Sequence, residues 1–190
     1  VVRERLGGVR FLVLSGSLPP GAPRNIYAQL IEQARTAGVP VLLDASKDAL
    51  ELGLLARPTF VKPNQTELAE LLQTALDSVE KQRAAAMEVA RRYHTTVILS
   101  LGKQGALLAD GQQLWQAMPP PVKALSAVGS GDSLVAGFVG SLVSSSSLPE
   151  ALQMGVACGT ANTLMLGAGR LQWDDVNRLR TQVTISEVFA

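Results

Sequence analysis

The sequence predicts an α/β fold: a mostly parallel sheet covered on both faces by helices, followed by a helical C-terminal region. Three observations carry this. Short apolar runs alternate with segments of helical spacing from residue 10 to residue 101. Those runs are too uniformly apolar to leave one face in water, as expected of strands in a buried parallel sheet. After Gly131 the rhythm changes to long helical segments broken by a polar turn. In open parallel sheets ligands bind beyond the carboxyl ends of the strands, so the strand-end residues are where chemistry is to be sought.

Taken in order, Arg10–Gly16 reads as a buried strand ending in small residues. Arg24–Ala37 reads as a helix, with Ile26, Leu30, Ile31 and Ala34 on one face and Gly38 as its stop. Val39–Asp44 is a second strand, ending in a carboxylate, and Lys47–Leu55 a short helix. Thr59–Lys62 is a brief third strand, and Asn64 caps a helix reaching about Leu72. A further helix covers Val79–Tyr93, with the sole histidine, His94, at its end, and Thr96–Leu101 is again a strand. Gly105–Ala109 and Gln112–Ala117 flank Asp110-Gly111, a hairpin signal. Pro119–Pro121 force an extended connection. Helices follow over about Gly131–Val143, Leu148–Leu166 and Trp173–Arg180. No internal repeat or linker interrupts the 190 residues, so one domain is expected.

Composition narrows the function classes. Hydrophobic residues make up 47% and charged residues 17%, a globular, core-rich balance. A net charge of +1 gives no electrostatic case for nucleic acid or an anionic membrane surface as partner. No apolar run approaches the ~20 residues that span a bilayer. The lone Cys158 has neither a disulfide partner nor zinc-ligand company, which fits a cytoplasmic location. The opening Val-Val-Arg-Glu-Arg is no signal peptide and lacks an initiator Met, as expected of the interior of a longer chain. There is no Gly-x-x-x-x-Gly-Lys-Ser/Thr loop and no Gly-x-Ser-x-Gly elbow, which argues against P-loop and serine-hydrolase chemistry.

The most informative stretch is Ala127-Val128-Gly129-Ser130-Gly131-Asp132-Ser133. Small residues before a helix let the backbone N–H groups of Gly129, Ser130 and Gly131 point at an anion, and the helix dipole adds partial positive charge there. Asp132, in the first turn, could take a proton from an attacking hydroxyl while that hole stabilises a phosphoryl group. A glycine turn with an acidic helix cap is the plainer alternative. Asn64 and Glu67 stand three apart at a helix start. They suit a partial Mg²⁺ shell, a capping box, or both. Lys62 could reach a phosphate. Ser100–Gly105 carries Gly102 and Gly105, which would let backbone run close to a ligand or simply turn a strand.

Gly129-Ser130-Gly131-Asp132 resembles the Gly-Ala-Gly-Asp signature of the ribokinase-like phosphofructokinase B family of sugar kinases, with Ser for Ala. Lys62-Pro63-Asn64-Gln65-Thr66-Glu67 resembles that family's Asn-x-x-Glu motif, and Ser100–Gly105 its nucleotide loop. Ser15-Gly16-Ser17-Leu18-Pro19-Pro20-Gly21 resembles a segment of its phosphofructokinase, 1-phosphofructokinase and tagatose-6-phosphate kinase branch. The order of these motifs matches the family from about Phe11 to Arg180.

The resemblance implies a three-layer ribokinase-like fold lacking its N-terminal part and lid sheet, with the nucleotide-binding portion over about residues 60–182. It implies ATP-dependent phosphorylation of a phosphorylated ketohexose with Asp132 as base, Mg²⁺ near Asn64 and Glu67, and Ser15 near the sugar phosphate. Lys62, Asn64, Ser100, Gly102, Gly105 and Val128 would attend the nucleotide, and Val156 and Thr160 the adenine. Asp44 matches a strand-end aspartate that orders the site or caps the next helix. Leu166–Arg170 lies where relatives bind a monovalent cation, but departs from their Asn-x-Gly-Thr pattern, which puts potassium dependence in question. A whole protein of this kind is expected to dimerise through its lid. A nucleotide-binding fragment without turnover is the alternative, and a nicotinamide dehydrogenase is disfavoured because no Gly-x-Gly-x-x-Gly follows the first strand.

Overall fold

The structure, a computed structural model, describes residues 2–189. They divide into two compact units, residues 2–99 with 109–114 and 189, and residues 100–108 with 115–188.

The first unit opens with a single turn of helix, α1 (Val2–Arg5), and a 3₁₀ turn that buries Leu6. Strands and helices then alternate: β1 (Leu12–Ser15), α2 (Ile26–Thr36), β2 (Val41–Asp44), α3 (Lys47–Leu55), β3 (Phe60–Val61), α4 (Gln65–Leu72), α5 (Val79–Tyr93) and β4 (Thr96–Ser100). The strands pair in parallel, with Leu12 beside Val41 and Ser15 beside Asp44. Leu42 pairs with Phe60, and Phe60 with Thr96. This register brings the carboxyl ends of β1 and β2 level. Val41, Leu42 and Leu43 are all buried, as a strand covered on both faces requires. Ile31 and Ala34 of α2, Leu50 and Leu54 of α3 and Leu68 of α4 supply the covering side chains. Gly53 lies so close to Leu43 that a Cβ there would collide with it. Ser78 caps α5 by accepting from Lys81 N, and His94 ends it in the left-handed conformation at φ 52°.

Two further strands are β5 (Ala106–Ala109) and β6 (Leu114–Met118). Between them Asp110 Oδ1 accepts from the N–H groups of Gln112 and Gln113, so the turn takes four residues and β6 starts two later than the spacing predicts. In the second unit α6 (Ser130–Val143) packs on α7 (Leu148–Thr163), followed by α8 (Trp173–Arg180) and β7 (Thr184–Glu187). A Cβ at Gly137 would meet Cys158 at 2.7 Å, and one at Gly155 the Leu134 carbonyl at 2.9 Å, so close packing of α6 on α7 depends on these glycines. Phe138 and Leu152 fill the core beside them. Glu150 Oε2 accepts from both the N–H and the hydroxyl of Ser147 at the start of α7.

Two expectations for this unit need correction. Helix α7 ends at Thr163, three residues before the predicted Leu166, because Gly167 and Gly169 take positive φ and turn the chain away. Strand β7 was not predicted; it pairs antiparallel with β6, Trp115 opposite Glu187, and only Ile185 and neighbouring backbone give it a reason to form. Within the first unit the strands lie side by side in sequence order, β1 to β4.

Candidate active site

In the first unit the strand ends carry a charged pair. Asp44, the last residue of β2, and Lys62, the residue after β3, form an ion pair of 2.9 Å between Nζ and Oδ1, with side chains 15% and 6% exposed. The Lys62 N–H donates to Leu43 O, which continues the parallel ladder and aims the lysine at its neighbour strand's end. Asp44 thus faces Lys62, and Ser46 stands at the N-cap of α3. The phenol of Tyr27, from α2, donates to the carbonyls of Ser15 and Gly16 at 3.1 Å each. It pins the turn in which Gly16 adopts φ 97°. Burial, with a smaller contribution from the Asp44 charge, pushes the Tyr27 hydroxyl above its ordinary value. Ser15 itself is exposed at the mouth of this turn.

Asn64 and Glu67 form a complete capping box. Asn64 Oδ1 accepts from Glu67 N at 2.9 Å, and Glu67 Oε2 accepts from Asn64 N at 2.8 Å. The helix-start reading of this pair therefore holds, and it fixes both side chains just past β3. Among the described residues no three His, Cys, Asp or Glu side chains gather in a metal-holding group.

In the second unit Gly129 is the N-cap of α6 at φ 80°, ψ 2°. A side chain there would be strained, and its Cβ would come within 2.7 Å of Ala168 Cα and Gly169 N. Asp132 sits exposed in the first turn of α6. The expected anion hole needs one amendment. The Ser130 N–H donates to Ala127 O at 3.2 Å and its hydroxyl to the same carbonyl at 2.8 Å, so Ser130 closes the turn instead of facing outward. Gly131 follows in the first turn, among the leading N–H groups that have no intrahelical partner.

Leu101 N donates to Gly105 O and Gly105 N to Gly102 O, closing a 3₁₀ turn over Gly102–Gln104. A Cβ at Gly105 would collide with the Ala117 carbonyl. Val156 and Thr160 lie 3% and 8% exposed on α7, and the Thr160 hydroxyl donates to Val156 O. Val128 is 65% exposed, beside the glycine turn.

A profile of the pfkB family carbohydrate kinases matches residues 1–174. The chain belongs to this family. It is 40% identical over 170 residues, 88% of its length, to the ATP-dependent 6-phosphofructokinase isozyme 2 of Escherichia coli strain K12, and covers 55% of that protein. To the tagatose-6-phosphate kinase of Staphylococcus epidermidis it is 32% identical over 179 residues, 93% of the chain and 58% of the relative. A crystal structure of E. coli phosphofructokinase-2 in complex with potassium superposes with a TM-score of 0.87 at 37% identity, covering 94% of this chain and 60% of that one. The chain spans a little over half the length of these relatives.

Two residues of this pfkB-family chain escaped the sequence reading. One is Tyr27, described above. The other is Asn162, fully buried on α7. Its Nδ2 donates to Val128 O at 2.8 Å, and its Oδ1 accepts from Ser133 Oγ at 3.2 Å and Arg170 N at 3.1 Å. The available signal was an asparagine among the small and apolar residues of a helix interior, where it is a poor helix former and demands polar partners.

Proposed function

We propose that the protein to which this chain belongs transfers the γ-phosphoryl group of ATP to a hydroxyl of a phosphorylated ketohexose. The observation that carries the reading is the placement of Asp132 in the first helical turn, three residues past Gly129, where φ 80° and the lack of room for a Cβ call for glycine. Asp132 lies in the first turn, at the positive end of a 14-residue helix. The substrate hydroxyl oxygen would attack the γ-phosphorus as the bond to the β–γ bridging oxygen breaks. Asp132 would accept the hydroxyl proton, and the turn would donate to the phosphoryl oxygens. The relatives named for 6-phosphofructokinase and tagatose-6-phosphate kinase activity support a ketohexose phosphate as the acceptor class.

Glu67 and Asn64 offer hard oxygen donors suited to Mg²⁺. Glu67 Oε2 and Asn64 Oδ1 are engaged in the capping box, so Glu67 Oε1 and water would face the ion. When bound, Mg²⁺ neutralises phosphate charge. Lys62, aligned by Asp44, would serve the phosphates from the same strand end. A monovalent cation fits less well. Residues 166–170 present no side-chain oxygen, and the Val128 carbonyl already accepts from the Asn162 amide. We assign the cation no step.

Coverage of a little over half of each relative favours a second reading for these 190 residues taken alone: they bind nucleotide without turning over sugar. The test is Asp132→Asn in the full-length protein. Turnover of ketohexose phosphates should fall ~10²–10⁴-fold with ATP binding retained. Near-normal turnover would remove Asp132 from the role of base.

A further inference from the structure

We infer that Asn162 is the positioning residue of the glycine turn, holding the backbone of Val128–Asp132 in register with the loop that follows α7. The inference rests on reading that turn as the phosphoryl-transfer site. It names a residue that the reading itself does not require.

Asn162 engages three separate stretches of chain. Val128 O lies just before the turn, Ser133 Oγ in the first turn of α6, and Arg170 N at the far end of the loop after α7. The next residue adds to the hold: Thr163 O accepts from Leu125 N at 2.7 Å and from Ser126 N at 3.3 Å. Gly129 itself lies against Ala168 and Gly169, with no room for a methyl group. The turn is therefore suspended from the last residues of α7 on one side and packed on the 166–170 loop on the other. A shift of either loop reaches the other through one side chain.

The chemistry calls for an amide. Val128 O needs a donor, while Ser133 Oγ and Arg170 N both need an acceptor, and a carboxamide supplies a donor and a twice-accepting oxygen from one small, neutral, planar group. Aspartate would lose the donor and bring a charge to a site with no exposure. Alanine would leave Arg170 N and Val128 O without the partner they have here. Glutamine adds a methylene where the side chain is already enclosed. Neutrality matters as well: the hold adds no second anion to a turn that already carries the Asp132 carboxylate.

The experiment compares Asn162→Ala and Asn162→Asp with wild type in the full-length protein. Amide exchange is measured across residues 125–133 and, as an internal reference, across β1–β3. We expect exchange at 125–133 to rise by about an order of magnitude with β1–β3 unchanged. We expect kcat to fall about 10²-fold, the scale of a misplacement of about 1 Å, with KM for the sugar phosphate retained. Unchanged exchange at 125–133 together with unchanged kcat would overturn the inference. So would a uniform rise across both regions, which would mark Asn162 as ordinary core. If the alanine variant does not fold, Ser133→Ala removes one of the three bonds, and the same local rise, smaller, is expected; its absence counts against the proposal. Failure of the functional reading is distinguishable. An active Asp132→Asn enzyme whose Asn162→Ala counterpart still loosens 125–133 would sink the base assignment and leave Asn162 in place.

Discussion

The two units hold their candidate site residues by opposite means. In the first, the end of β2 and the residue after β3 are locked by a buried charge pair, Asp44 with Lys62. In the second, the turn before α6 is held by neutral groups, the Asn162 amide and the absence of side chains at Gly129 and Gly131. A lysine can be kept charged away from water when a carboxylate sits beside it, and its remaining protons can serve a phosphate. A turn proposed to receive an anion, and already carrying Asp132, would gain nothing from a second carboxylate serving only as a hold. Steric fit and a neutral amide fix it without competing for its donors. The difference makes the two regions fail differently, and that can be measured.

The largest expected effect is in the first unit. Removing one partner of a largely buried ion pair is strongly destabilising, so Asp44→Leu, which takes the carboxylate from the buried Lys62, should cost about 3–5 kcal/mol of stability, and Lys62→Met should destabilise as well. The double variant should recover most of that loss, since an apolar pair of similar volume is often neutral. Urea denaturation of the four proteins gives the coupling directly. Additive losses would mean the pair does not behave as a unit, and the comparison between charged and neutral holds would collapse.

The next effect belongs to the second unit and has no electrostatic part. Gly129→Ala puts a side chain at φ 80° and a Cβ 2.7 Å from backbone atoms of Ala168 and Gly169. It should cost at least the ~1–3 kcal/mol typical of a strained backbone position. Gly140→Ala is the matched control. Gly140 lies within α6 with nothing near its missing Cβ, so that change should stabilise by about 0.5–1 kcal/mol. Thermal unfolding of both variants decides it: the same sign for the two would show that conformation and packing at Gly129 are not what matters.

What the sequence made legible follows the range of each interaction. The capping box of Asn64 and Glu67 spans three residues, and its pattern was readable as such. The parallel strands were readable because Val41–Leu43 and Val97–Leu99 are apolar without alternation. Asp44 and Lys62 were each singled out, but their pairing depends on adjacent strand ends, which no local pattern encodes. Asn162 was missed for the same reason, since its partners Ser133 and Val128 lie 29 and 34 residues away. Ser130 was placed in the anion hole because its neighbours are small; the turn that engages its N–H follows from the φ of Gly129, which composition does not reveal. The end of α7 was set too late because residues 164–166 are good helix formers, and the glycines after them decide the matter.

The smallest effect asks whether the first unit's charge reaches its neighbour. Tyr27 donates to the carbonyls of Ser15 and Gly16, and its hydroxyl is pushed above the ordinary 10.0, first by burial and then by the Asp44 charge. The folded state therefore favours the neutral phenol. Stability tied to that preference is fully present below the unfolded value near 10.0 and is lost as pH rises through the folded value, where the unfolded chain ionises first. Tyr27→Phe has no proton to lose and should lack this alkaline decline. Urea midpoints of the two proteins should differ most below pH 10 and converge above it. Removing the Asp44 charge in an Asp44→Leu background should shrink the effect without abolishing it, because burial is the larger cause. A constant gap between wild type and Tyr27→Phe across the alkaline range would show that the phenol is a packing group whose proton is indifferent to the charge beside it.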